Sequence, residues 1–105
     1  YPGYAVHPDH EATARAVVEA VRRMPAESRP RVYGAAFANN TVADLGEPPI
    51  TIDVSSVSKA KLDALRAHAS QTAWMMAESA KRVEEGQPMS ESWLNVERFY
   101  EISIN

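Results

Sequence analysis

Hydrophobic residues recur at helical spacing in two segments of the chain. The first segment, residues 8–24, has polar side chains on its opposite face, with Pro8 suited to the first helical turn and Pro25 to its end. The second, residues 55–85, is predicted to be one long helix, capped by a serine and ending near Gly86. The predicted buried positions are Ala14, Val17, Val18, Val21 and Met24 in the first helix, and Leu62, Leu65, Ala69, Met76, Ala80 and Val83 in the second.

Three shorter segments have the composition of strands. Residues 31–38 are nearly all apolar, residues 50–54 alternate apolar with polar, and residues 97–104 mix aromatic and β-branched side chains. Residues 39–49 are predicted to be loop, and residues 90–96 a short helix or turn. The order helix, strand, strand, helix, strand indicates an α/β protein rather than a bundle or a sandwich.

Composition and charge exclude several classes of function. The chain has 105 residues, enough for one domain or a piece of one, and its net charge of −3 provides no basic surface for nucleic acid. No apolar run approaches the roughly 20 residues that span a bilayer. Because cysteine is absent, any metal would be held by histidine nitrogens and carboxylate oxygens. We expect a cytoplasmic protein, and a chain that begins at Tyr1 without a signal-like segment is expected to be a fragment.

Candidate chemistry lies at the start of the first helix, in His7-Pro8-Asp9-His10. Two imidazoles three positions apart, with a carboxylate between them, can face one cavity at this junction between loop and helix. A catalytic zinc needs three protein ligands and an open position, so the segment is not a complete site. Two interpretations stay open. Either His10 binds a metal while His7 and Asp9 form an acid/base pair, or the two histidines cap the helix or meet solvent and Asp9 is a plain helix cap.

A second candidate cluster, His68 and Gln71, lies on the predicted long helix. The two side chains are one turn apart, close to Ala64 and Ala67, which are small enough to let another backbone approach. In the structural interpretation, this face is hydrogen-bonded to a neighbouring segment.

Together these segments resemble the C-terminal half of the PIG-L/LmbE-type zinc-dependent de-N-acetylases. The similarity includes the segment from His7 to His10 with residues 11–17 after it, the triplet Asp53-Val54-Ser55, and residues 65–71, in the same order and spacing. It covers about residues 1–71. The resemblance implies a Rossmann-like three-layer α/β fold, of which residues 1–105 would be a single partial domain with the C-terminal part of the sheet and its helices.

The resemblance also implies a reaction and roles for individual residues. The reaction is zinc-dependent hydrolysis of the N-acetyl group of an amino sugar or sugar conjugate, such as an N-acetylglucosamine conjugate, to give acetate and a free amine. By resemblance, His10 is a zinc ligand, His7 stabilises the oxyanion and protonates the leaving amine, and Asp9 is the partner of His7. His68 and Gln71 are expected to have a structural role or to support the site from behind the ligands.

One part of the family pattern is absent from this sequence. The family's N-terminal His-Pro-Asp-Asp motif supplies the other two zinc ligands and the general base, and it does not occur in the 105 residues. We therefore expect the chain to need the N-terminal segment of the same protein as a partner, and to be inactive alone. The family often has an aromatic residue or glycine just before the histidine pair. Val6 stands there, so Tyr4, the nearest aromatic residue, is the candidate substrate contact.

The alternative from a different class is a non-catalytic α/β interaction module. In that case His7 and Asp9 only cap the helix, and a protein partner binds exposed parts of Met75, Met76 and Trp93. In either case, an unpaired sheet edge would favour association with a second copy of the chain.

Overall fold

In the computed structural model, the described residues are 1–85 and 92–105, taken without the side chains of residues 74–76, 78–80, 82–83 and 92–93. In chain order the elements are helix α1 (Pro8–Arg22), strand β1 (Val32–Gly34), helix α2 (Thr41–Leu45), strand β2 (Ile50–Asp53), helices α3 (Ser58–Ala67), α4 (Ala69–Glu84) and α5 (Ser92–Asn95), and strand β3 (Val96–Ile102). Single 3-10 turns lie at Ala26–Ser28 and Ser55–Val57. The α/β class predicted from the sequence is confirmed.

The three strands form a small sheet in the order β1-β3-β2. Strand β1 pairs antiparallel with β3, with Val32 opposite Ile102 and Gly34 opposite Tyr100. The backbone of Tyr1 approaches Gly34 closely. A Cβ atom at Gly34 would lie 3.1 Å from the Cα atom of Tyr1. The Rossmann-like three-layer arrangement stays a prediction, since the described strands make only this small sheet.

The chain divides into two compact units, residues 1–51 with 98–105, and residues 52–97. The first unit contains α1, β1, α2 and the greater part of β3, and its buried residues are Ala5, Val21, Thr41 and Tyr100. In the second unit α3 packs against α4 and α5, and Leu94 is buried. A single partial domain over residues 1–105 stays a prediction.

Helix α1 begins where the sequence places it and ends three residues before Pro25. Its exposed face carries Glu19, whose carboxylate accepts hydrogen bonds at 2.8 Å from both Arg22 and Arg23. These bonds lower the pKa of Glu19, the one from Arg23 most.

The predicted set of buried positions in α1 is only partly correct. Val21 is buried and Ala14 and Val18 are half-buried, whereas Val17 and Met24 are exposed.

The predicted strand over residues 31–38 is too long, because β1 ends at Gly34. Beyond it, the backbone N–H groups of Phe37 and Ala38 both donate to the carbonyl oxygen of Tyr4, at 2.9 and 3.2 Å. Because these two N–H groups bind the N-terminal loop, they do not form the hydrogen bonds of a longer β-strand. The loop predicted over residues 39–49 contains α2 instead, and the hydroxyl of Thr41 donates to the carbonyl of Ala38 at 2.6 Å.

The single long helix predicted over residues 55–85 is wrong, because the chain breaks it at His68 into α3 and α4. The Thr72 hydroxyl donates to the carbonyl oxygens of Leu65 and His68 across this break. Among the predicted buried positions, Leu62 and Leu65 are half-buried and Ala69 is exposed. The remaining predicted positions, Met76, Ala80, Val83 and Gly86, lie outside the described residues or side chains.

Within the described part of the chain, no helix combines the length and the apolar character needed to cross a membrane. The short strand β2 and the terminal strand β3 agree with the predicted strands.

Candidate functional site

The loop before α1 is attached to the helix through Glu11. Gly3, which has a positive φ of 86°, donates its backbone N–H to both carboxylate oxygens of Glu11, at 2.9 and 2.8 Å. Arg15, one turn further along α1, donates to the same carboxylate at 2.8 Å. The pKa of Glu11 is lowered, mainly by the hydrogen bond from Gly3 and then by the one from Arg15. This carboxylate therefore fixes the loop that leads to the histidine pair.

The backbone turns sharply at Val6, immediately before the histidine pair. Val6 has a φ of 70°, in the left-handed region that a β-branched side chain rarely occupies. The backbone N–H of His7 donates to the carbonyl of Ala5 at 2.8 Å, which closes a γ-turn around Val6. Ala5 is buried whereas Val6 is 73% exposed. The turn thus leads the chain from the buried Ala5 to the exposed start of α1. No feature of the sequence indicated this turn.

His7 is the capping residue of α1, as the structural interpretation of the histidines allowed, whereas Asp9 as the cap is wrong. The Nδ1 atom of His7 accepts a hydrogen bond from the backbone N–H of Asp9 at 3.1 Å, and Asp9 lies in the first helical turn. This bond needs the Nδ1 lone pair, so the neutral ring carries its proton on Nε2. The Asp9 carboxylate lies 4.0 Å from Nδ1. When Nδ1 is also protonated, it can pair with that carboxylate instead.

The structure brings the two imidazoles of the predicted site together. The ring centroids of His7 and His10 are 5.4 Å apart, with the ring planes inclined at 49°. Both side chains are exposed. The centroid of the His10 ring also lies 6.3 Å from that of the Phe37 ring. Helical spacing explains this pairing, because positions three apart share a face of the first turn.

The donor set suits a zinc ion in type but is too small to hold one alone. Imidazole nitrogen is a preferred zinc ligand, and a catalytic site uses three protein ligands. In residues 1–85 and 92–105, no group of three histidine, cysteine, aspartate or glutamate side chains is arranged to hold a metal. The His10 ring is exposed, and its role as one ligand of a larger set stays a prediction.

The hydroxyl group of Tyr4 is engaged by α2. It donates to Asp44 Oδ2 at 3.2 Å, and the same oxygen accepts from the amide of Asn40 at 2.7 Å. Partial burial, and then the neighbouring Asp44, raises the pKa of Tyr4. A contact between Tyr4 and substrate stays a prediction. Sequence reasoning missed Asn40 and Asp44, although their i,i+4 spacing is a signal of the short helix they stabilise.

His68 and Gln71 belong to the second unit, at the junction of α3 and α4. The His68 side chain is exposed, and its carbonyl accepts hydrogen bonds from the backbone N–H groups of Gln71 and Thr72 at 3.0 and 3.1 Å. The buried Thr72 was missed in the sequence. The backbone hydrogen bonds of His68, Gln71 and Thr72 stabilise the break between α3 and α4. A supporting role of the His68 and Gln71 side chains in catalysis stays a prediction.

Asp53, in the triplet that contributes to the family resemblance, forms a local turn. Its Oδ1 atom accepts from the backbone N–H of Ser55 at 2.9 Å. Hydrogen bonds from the Ser55 side chain and backbone lower the pKa of Asp53. The triplet thus directs the chain from β2 into the turn before α3.

The chain is similar to three Bacillus proteins that are named as deacetylases. The chain is 46% identical over 100 residues to a Bacillus anthracis protein. The aligned region is 95% of this chain and 44% of that relative. It is 43% identical over 100 residues to a Bacillus cereus protein and 36% identical over 105 residues to a Bacillus subtilis protein, covering 46% and 48% of them. All three relatives carry the name "Probable N-acetyl-alpha-D-glucosaminyl L-malate deacetylase 2". The chain thus spans a little less than half the length of these relatives.

No protein-family model and no solved structure matches the chain. The three named relatives are therefore the proteins to which this chain is shown to be similar.

Proposed function

We propose that the protein containing this chain is a zinc-dependent hydrolase that removes the acetyl group from an N-acetylated amino sugar conjugate. This chain contributes one metal ligand, His10, and the acid/base pair His7 and Asp9. The observation that carries the proposal is the identity of 36–46% to relatives named as deacetylases, over 95% or more of the chain. The separation of 5.4 Å between the two imidazole rings supports it.

The relatives' name suggests the substrate class. We propose an N-acetylglucosamine conjugate, with the malate glycoside in the relatives' name as the first candidate. A Rossmann-like three-layer fold and a cytoplasmic location are parts of the same proposal. So is an N-terminal segment that supplies the remaining ligands, because this chain spans less than half of each relative.

A zinc ion held by His10 and ligands from elsewhere in the protein would supply an acidified water for attack on the amide. Overall, a C–O bond to the acetyl carbon forms and the C–N bond breaks, which releases acetate and a free amine. The amine needs a proton as it leaves. This chain provides the group for that transfer at the exposed ring of His7.

The surroundings of His7 suit both states of such an acid. The neutral ring is held by the bond from the Asp9 N–H to Nδ1, and the Nε2–H group can then face an oxyanion. The doubly protonated ring loses that bond, but the Asp9 carboxylate lies 4.0 Å away to take its place as a partner. Asp9 therefore positions His7 in either state, through its backbone or through its side chain.

The test is an assay of the intact protein with a malyl N-acetyl-α-D-glucosaminide. We expect equal amounts of acetate and free amine, loss of turnover after dialysis against a chelator, and recovery when zinc is added. A matched glucosaminide without the acetyl group controls for release of other products. No acetate from this or other N-acetylglucosaminides would contradict the proposal.

One observation favours the second candidate, a non-catalytic interaction module. His7 does cap α1, as that interpretation requires, and a capping role needs no chemistry. The partner surface expected at Met75, Met76 and Trp93 lies outside the described side chains. The names of the relatives favour the enzyme, and acetate release by the intact wild-type protein separates the two candidates, since a non-catalytic module releases none.

A further inference from the structure

Phe37 is a large apolar side chain exposed beside the histidine pair. It is 63% exposed, although an aromatic ring of this size is usually buried. Its ring centroid lies 6.3 Å from that of His10, whose own ring is 5.4 Å from that of His7. His10 thus has the exposed ring of Phe37 as one neighbour and the ring of His7 as another, and we call these three rings the row of rings.

The backbone fixes Phe37 in this place. Its N–H group donates to the carbonyl oxygen of Tyr4 at 2.9 Å, and that of Ala38 donates to the same oxygen at 3.2 Å. Tyr4 lies three residues before His7, in the loop that Glu11 ties to α1 through Gly3. Phe37 and the histidine pair are therefore carried by segments that are hydrogen-bonded to each other.

We propose that Phe37 is the platform against which the sugar ring of the substrate packs, and this inference rests on the proposed function. In a 2-acetamido sugar, the amide nitrogen is bonded directly to a ring carbon. When the amide lies at the histidine pair, the sugar ring must occupy adjacent space, and Phe37 lies at the His10 end of the row. A sugar presents a face of C–H groups, and a flat aromatic ring offers it apolar surface without requiring a hydrogen bond.

Instead of a sugar ring, another segment of the same protein could pack against Phe37. If another segment buried Phe37, the ring would contribute to stability and not to substrate affinity. The two occupants make opposite predictions for a variant that keeps an apolar side chain and removes only the ring.

The experiment uses the intact protein, the variant Phe37→Leu and the probe methyl N-acetyl-α-D-glucosaminide. Calorimetry measures the Kd of the probe, and an acetate assay measures KM and kcat. We expect Kd and KM to rise about fivefold in Phe37→Leu, which corresponds to about 1 kcal/mol. We also expect Phe37→Tyr, which keeps the ring, to restore both values to within about twofold.

Tyr33→Leu is the matched control, because Tyr33 is a 43% exposed aromatic residue on β1 outside the row of rings. It should leave Kd and KM unchanged. The inference is overturned if Phe37→Leu leaves Kd and KM unchanged, and a large fall in Tm would then identify another segment of the protein as the occupant. It is also overturned if the wild-type protein does not bind the probe.

The proposed function fails separately. If the wild-type protein binds the probe through Phe37 but releases no acetate from any N-acetylglucosaminide, the deacetylase proposal is wrong while the sugar platform stands. If acetate is released and Phe37→Leu changes neither constant, only the platform is wrong.

Discussion

His7 has two roles in this account, and the variant His7→Asn separates them. In the structure His7 occupies the capping position with φ −96° and ψ 137°, and its Nδ1 atom accepts from the Asp9 N–H at 3.1 Å. Asparagine is among the best capping residues and its side-chain oxygen can accept the same bond. It cannot carry a proton to a leaving amine. His7→Asn therefore keeps the helix start and removes the chemistry, whereas His7→Ala removes both.

The expected magnitudes follow from the exposure of the site. Loss of a cap costs about 0.5–2 kcal/mol, and because the His7 side chain is 61% exposed the lower half of that range applies, about 1 kcal/mol. In a protein of 150–250 residues this lowers Tm by about 2–4 °C in His7→Ala, with less than about 1 °C expected for His7→Asn. Removal of an oxyanion donor lowers kcat by about 10²–10³-fold, so both variants should lose this much activity.

The assay compares Tm by calorimetry with kcat for acetate release in the wild-type protein and both variants. A kcat for His7→Asn within about threefold of the wild type would contradict this prediction. That result would assign His7 to capping alone, and another group would have to protonate the leaving amine.

Three further predictions concern stability. Thr72→Val should lower the free energy of unfolding by about 1–2 kcal/mol, because the Leu65 carbonyl loses a partner at a buried position, and denaturant titration measures this. Gly34→Ala should cost about 1–3 kcal/mol by the same measurement, since the added Cβ would lie 3.1 Å from backbone atoms of Tyr1. Stability should fall as pH drops below about 4, because the lowered pKa of Glu11 makes the unfolded state bind more protons there, and Glu11→Gln should flatten this slope.

The Thr72→Val prediction has two controls in the same chain. Thr13→Val removes a hydroxyl that donates to the carbonyl of Asp9 at 2.8 Å on the exposed face of α1, and should cost less than about 0.5 kcal/mol. Thr72→Ser should retain most of the stability. A cost of Thr72→Val equal to that of Thr13→Val, no effect of Gly34→Ala, or the same acid slope in Glu11→Gln as in the wild type would contradict the corresponding prediction.

The local features of the fold could be predicted from the sequence. The start of α1 follows from Pro8 at its first position and the acidic residues of its first turn, and both were visible in the pattern. Strand β2 follows from alternation, and β3 from its aromatic and β-branched residues. Proximity of His7 and His10 follows from helical spacing, and the structure places their rings side by side.

The features that were missed depend on hydrogen bonds between distant or unexpected partners. β1 stops at Gly34 because the Phe37 N–H bonds Tyr4, which is 33 positions away in the chain. The break at His68 is stabilised by the hydroxyl of Thr72, while the surrounding residues all have a helical pattern. Neither periodicity nor propensity contains information about such partners.

The metal site could be predicted only in part, for a different reason. The sequence contains one histidine whose position matches a zinc ligand of the family it resembles, and the described residues contain no group of three potential ligands. The proposed zinc chemistry rests on that resemblance. The structure places the His7 ring 5.4 Å from the His10 ring, and the roles of both residues stay predictions.

The most direct test of the central claim is the zinc content of the intact protein measured together with acetate release in the variant His10→Ala. Arg22→Ala, an exposed change in the last turn of the same helix, is the control. We expect His10→Ala to lose most of its bound zinc and its deacetylase activity, and Arg22→Ala to keep both. Unchanged zinc content and an unchanged rate in His10→Ala would show that His10 is not a zinc ligand.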